Sequence, residues 1–163
     1  MNIKQQCNTI NVPGLCRIWT IPMSDVTLPA EVEAKLSIAQ PIITSSSLGI
    51  LEGLYDTLSF SSSRSQDGNG GYHMLTVEGE FPTVDPTIID ALEKMVQVKH
   101  LVVFRDNMEQ LRFIVNARFT YGTDSSTIRG TQGVPFSFSV QSTKQHYFYT
   151  STYTEAPDGT FSF

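Results

Sequence analysis

The stretch 66-QDGNGG-71 constrains the fold more than any other feature of the chain. Its Asp-Gly and Asn-Gly pairs supply the positive φ angles that a tight reversal needs. On either side lie strand-like runs, 56-DTLSFSSSRS-65 and 72-YHMLTVEGEF-81. Together they predict a long antiparallel β-hairpin with a flexible tip, and such a hairpin needs a larger sheet to be stable. Asp67 and Asn69 give the tip the look of a calcium loop, but no distal bidentate acid follows at the required spacing, so the turn reading holds.

Similar patterns recur along the chain. The segment 17-RIWTIPM-23 carries the only Trp and reads as an early strand closed by Pro22. Residues 24–31 are turn-like. In 32-VEAKLSIAQ-40, Val32, Ala34, Leu36 and Ile38 fall on one side at period two, which predicts a half-buried strand, with a short helix as the competing reading. Residues 41–55 read as loop and strand edges. A second hairpin is expected from 100-HLVVF-104 and 111-LRFIV-115, with its turn near Asp106 and Asn107 and His100 at the strand start. The last third gives 116-NARFTYGT-123, a polar loop 124-DSSTIRGTQG-133, then 134-VPFSFSV-140 and 146-HYFYTSTY-153. Strict Phe/Ser alternation at 136–139 puts aromatics on one face and hydroxyls on the other. Residues 154–163 are expected to form a loose tail or to pair with a neighbour.

One helix stands out, over about 85–98. Asp85 is placed to cap it, Pro86 suits its first position, and Asp90 and Glu93 precede Lys94 and Lys99 in the order that the helix dipole favours. Ile88, Ile89, Leu92, Met95 and Val96 form an apolar stripe expected to bury against the sheet. The fold class expected is therefore mainly β (α+β): an antiparallel β-sandwich or barrel with one flanking helix and long β-hairpins. With 163 residues, a single domain spanning 1–163 is expected.

Composition narrows the function classes. The formal net charge is -5 and there is no Lys/Arg cluster, which disfavours tight or sequence-specific nucleic-acid binding. No apolar run approaches the roughly 20 residues that cross a bilayer, and Met1–Gln6 is polar without a signal-peptide core, so a soluble protein made in the cytoplasm is expected. Cys7 and Cys16 fit no zinc pattern; a disulfide closing their short loop would need an oxidising setting, and in a cytoplasmic protein two reduced thiols are the expected state, with the disulfide as the alternative. No metal, no cofactor and no enzyme site is expected. His73, His100 and His146 lie in strand-like segments without a Gly-x-Ser-x-Gly elbow or a His-Glu-x-x-His pair, and read as surface or edge histidines. Pairs such as Asp85 with Asp90, or Glu52 with Asp56, are accounted for by capping and solvation.

The order of 17-RIW-19, a Gly-tipped hairpin ending 74-MLTVEGEFP-82, the helix 86-PTIIDALEKM-95, 101-LVVFRDNMEQLRFI-114 and 133-GVPFSFSVQSTKQHYFY-149 resembles a group of small phage and prophage virion proteins, tail-tube or head-tail neck components of gut-bacterial phages. Members of that group often carry Gly after the Asp-Asn turn and near 115–117, where this chain has Met108 and Asn116. The resemblance implies a β-sandwich or barrel subunit of the virion that joins copies of itself into rings, commonly hexameric, and contacts other virion proteins. It makes the loops at 64–72 and 122–133 candidate arms, with Arg64, Gln66, Asp67, Asn69, Asp124, Ile128, Arg129 and Gln132 as candidate interface residues. The alternative reading is a monomeric β-sandwich binding module for carbohydrate or protein, for which Trp19, Tyr147 and Tyr149 would be the exposed aromatics.

Overall fold

The computed structural model describes residues 15–51, 58–68, 70–81, 86–106, 108–122, 126–128 and 131–163. The early strand is β1 (Leu15–Pro22), followed by a 3-10 turn at Met23–Asp25, β2 (Val26–Thr27), α1 (Glu31–Ala34), β3 (Ser37–Ile38), β4 (Ile43–Thr44) and β5 (Gly49–Leu51). The first hairpin is β6 (Ser59–Asp67) with β7 (Gly70–Phe81), then come α2 (Pro86–Val96), β8 (Lys99–Asp106) and β9 (Leu111–Tyr121). The remainder is β10 (Ser126–Ile128), β11 (Thr131–Ser142), β12 (Tyr147–Tyr149), β13 (Thr154–Glu155) and β14 (Phe161–Ser162). The main sheet runs β5-β1-β8-β9-β11-β7-β6, every neighbour antiparallel, with β10 on β11 and β12 on β9. The protein is mainly β, with one principal helix and a sandwich-like sheet that does not close.

The sheet serves two cores because its central strand is apolar on both faces. Leu101, Val102, Val103 and Phe104 of β8 are all fully buried. Val102 and Phe104 join Ile18, Ile114, Phe119, Phe136, Phe138, Leu75 and Val77 in an inner core. Leu101 and Val103 join Trp19, Ile21, Phe113, Tyr147, Tyr149 and Phe161 in an outer one. The inner core exists because the sheet rolls over itself. Three strands separate β8 from β6 in the sheet, yet Phe60 of β6 stacks on Phe104 of β8 at 4.8 Å between ring centroids.

A β-bulge in β9 makes that roll compatible with the sequence. The register with β8 passes from Val102↔Ile114 to His100↔Ala117, so three residues of β9 oppose two of β8. Asn116 sits there at φ 58°, a left-handed conformation that Asn tolerates better than most residues. The extra residue reverses the alternation: Leu111 and Phe113 face the outer core, whereas Ala117 and Phe119 face the inner one.

Three expectations are corrected. The segment 32–40 is not a continuous strand. It opens as the short helix α1, because Val32 N donates to Pro29 O and the Glu31 carboxylate accepts the amides of Ala39 and Gln40, each at 2.9 Å. Val32 and Ile38 are buried, while Ala34 and Leu36 are exposed. The helix α2 starts at Pro86 as expected, and Asp85 lies outside the described residues. Its stripe is only partly covered: Leu92 is buried and Met95 half-buried, but Ile88, Ile89 and Val96 are 37%, 41% and 44% exposed. At about 100° per residue all five lie within about 60° of Leu92 on one face, so their exposure reflects how little of that face the sheet covers. The C-terminal ten residues are not loose. Strands β13 and β14 pair, Phe161 bridges to Leu48 and is fully buried against Trp19 at 5.0 Å, and Trp19 Nε1 donates to Gly159 O at 2.9 Å.

Two substitutions test this packing. A Cβ at Gly79 would stand 2.6 Å from Leu58 Cδ2 and 3.0 Å from Phe136 Cζ, two buried side chains. Gly79→Ala is expected to cost about 1–3 kcal/mol in urea denaturation, against little change for Gly49→Ala, where nothing stands within 4 Å. Phe161→Ala is expected to cost about 3–5 kcal/mol, as for a core aromatic; a loss below about 1 kcal/mol would mean the C-terminal segment is not part of the core.

Candidate assembly site

The β6–β7 ladder runs from Ser59↔Glu78 to Asp67↔Gly70, so the hairpin tip is tighter than 66–71. Gly70 takes φ 123°, the positive value that the sequence reserved for glycine there. β7 pairs with β11 only from His73 to Phe81, and residues 70–72 continue with β6 alone. Ser61 to Gln66 are exposed on both strand faces. The hairpin therefore leaves the core as a two-stranded arm. Arg64 pairs with His73, and its guanidinium lies across Gly71, 3.6 Å from where a Cβ would stand. Gln66 is exposed opposite Gly71, Asp67 stands opposite Gly70, and Asn69 lies outside the described residues.

The polar stretch 124–133 contains a second, shorter ladder, Ser126↔Gly133, Thr127↔Gln132 and Ile128↔Thr131. β-Branched Thr127, Ile128 and Thr131 suit strand better than the loop first expected. Ile128 and Gln132 thus stand in β10 and β11, and Asp124 and Arg129 lie outside the described residues. This ladder continues β11 beyond Val134↔Phe81, whereas the β6–β7 arm continues β7 beyond Ser142↔His73. The two sets of candidate residues do not come together. They occupy opposite ends of one ladder.

Sequence reasoning marked the first hairpin and the 124–133 segment but not the open edge strand β6. β6 is the outermost strand, and among the described residues no strand pairs with its outer side. The opposite margin of the path is β5, three residues long. An edge of nine residues carrying Ser, Arg and Gln offers a row of backbone donors and acceptors with small polar side chains beside it. The signal in the sequence was the Ser run at 61–63, too polar for an interior strand.

The buried polar groups serve packing. Two arginines hold one carboxylate, Arg17 Nη1 at 2.7 Å and Arg105 Nη1 at 2.5 Å from Glu155, which fastens β13 to β1 and β8. Asp106 caps its turn by accepting the amides of Met108 and Gln110 and pairs with Arg112 at 2.6 Å. His100 and His146 are not surface histidines; they are 2% and 9% exposed, and His73 is half-buried. His100 ties the end of α2 to the sheet, Nε2 donating to Met95 O at 2.9 Å with Nδ1 3.2 Å from Thr20 Oγ1. Trp19, Tyr147 and Tyr149 are buried as well, so these three offer no exposed aromatic platform. Among the described residues no group of three or more His, Cys, Asp and Glu is arranged to hold a metal, and no helix is long and apolar enough to cross a membrane. Cys7 lies outside the described residues, and of Cys16 only its place in β1 is described. Compared with protein-family models, curated proteins and solved structures, the chain matches none.

The histidines set an acid limit on stability. Burial holds both imidazoles below their ordinary pKa, and burial with the neighbouring Arg112 takes His146 down to about 4. The unfolded chain takes up these protons near pH 6.5, so folding stability is full above that value and falls as pH drops towards 4. Unfolding free energies from urea titrations at pH 7.5, 5.5 and 4.5 should decline in that order, by about a few kcal/mol in total; an unchanged value would contradict the buried neutral state.

Proposed function

We propose that this chain is a phage or prophage virion structural subunit, of tail-tube or head-tail neck type, that assembles with copies of itself into rings, commonly of six. What carries the reading is the pair of β arms at opposite ends of the β7–β11 ladder, beside an open, polar nine-residue edge strand. A ring requires each subunit to present two different surfaces. The β6 margin and the β5 margin are two such surfaces on one sheet, and arms at both ends of a ladder suit contacts with further copies along the axis of a stack. A polar edge also guards against indiscriminate pairing until a matching edge arrives. Two further observations support it. Asn116 holds a left-handed conformation in the region where the resembled proteins carry Gly, and a net charge of -5 weakens any grip on DNA passing a channel. On this reading the protein is made in the bacterial host cytoplasm and resides in the virion.

Native mass spectrometry and negative-stain imaging over a concentration series test the reading. Rings or stacked tubes are expected for the unaltered chain. The double variant Ser61→Lys and Ser63→Lys, exposed and away from both cores, should lose them at the same concentration while its own unfolding free energy changes by less than about 1 kcal/mol. A monomer at every concentration would contradict the proposal.

A further inference from the structure

We propose that His146 is an acid-operated latch: on gaining a proton it releases the Phe60 ring and frees the base of the edge strand β6 from the rolled sheet. The inference is independent of the assembly reading. His146 stands where the roll is held by side chains and not by strand pairing. Its ring meets Phe60 of β6 edge-on at 5.0 Å and Phe148 of β12 at 5.0 Å, while Phe60 in turn stacks on Phe104.

The hydrogen bonds fix the proton. Arg112 Nη1 donates to His146 Nε2 at 3.3 Å, and a guanidinium has only donors. The single proton of the neutral imidazole therefore sits on Nδ1, a buried atom that finds no hydrogen-bond partner among the described residues. A second proton has only Nε2 to occupy. Placing it there turns the hydrogen bond into two donors facing each other and sets two cations about 3.3 Å apart.

Arg112 does not give way in that encounter. It is held by Asp106 at 2.6 Å and Gln110 at 3.2 Å, and its guanidinium lies 4.9 Å from the centre of the Phe148 ring. The charged groups facing His146 are Arg112 from β9 and Asp106 from β8; β6 and β12 present the rings of Phe60 and Phe148. The Asp106 carboxylate is already engaged by Arg112 and by the amides of Met108 and Gln110. Nearby, Lys144 Nζ donates to the carbonyls of Val32 at 3.0 Å and of Glu33, so the connector stays anchored to α1 while the imidazole swings outward. His100 is likewise buried but bonds Met95 and Thr20 and packs its ring on Phe119 and Phe138. The depressed affinity for a proton, near pH 4, agrees with this geometry.

Hydrogen exchange of the intact chain, corrected for the intrinsic rate at each pH and read on peptides by mass spectrometry, tests the latch. Between pH 6 and pH 3.5, peptides covering 58–66 should lose protection by about tenfold or more beyond the global loss that peptides covering 99–106 report. His146→Phe, which keeps a ring but takes no proton, should abolish the change in 58–66; His146→Gln serves the same purpose if the Phe variant does not fold. Loss of protection in 58–66 that persists in the variant, its absence in the unaltered chain, or equal loss in 99–106 would each overturn the proposal.

Discussion

The four residues Leu101–Phe104 are buried from both sides, and the rest of the structure follows from that burial. A strand apolar on both faces cannot lie in a one-sided sheet, because either face left in water would forgo its transfer free energy. The chain covers one face by rolling its own sheet back until Phe60 reaches Phe104. It covers the other with short elements and with the C-terminal segment, whose Phe161 fills the space beside Trp19. A single residue, Asn116, reconciles the two tasks by switching the faces of β9 midway.

The polar groups fall into place around that arrangement. Charged side chains stand at the margins of the two cores and act as fasteners. Glu155 ties the C-terminal turn to two strands through two arginines, and Asp106 with Arg112 holds the β8–β9 turn. His100 and His146 are buried histidines, and each couples an outlying element to the sheet, α2 in one case and β6 in the other.

The strands were legible because period two and turn chemistry are local. The Asp-Gly-Asn-Gly cluster, the Asp106 turn and the Phe/Ser alternation at 136–139 each announce their structure within a few residues. Segment 32–40 misled for the complementary reason: its alternation was real, but one carboxylate, Glu31, gathers amides eight and nine positions away. The helix stripe overstated burial, since periodicity says which residues share a face and not how wide the receiving surface is. The β8–β9 hairpin sets Asp106 beside Arg112 locally, but nothing in the spacing foretold His146, which the pairing of β12 with β9 brings to Arg112. The Ser run at 61–63 argues against an interior place for β6, but which margin stays open is decided by topology.

On the assembly proposal, copies of this chain join along the β6 edge and its neighbouring arms. The most direct measurement is hydrogen exchange at neutral pH as a function of protein concentration. Amides of 59–67 and of the 126–133 ladder should gain protection as assemblies form, with those of 99–106 unchanged because they are already buried. Assemblies that form while 59–67 exchanges as freely as in the dilute protein would contradict the claim and place the joining surface elsewhere.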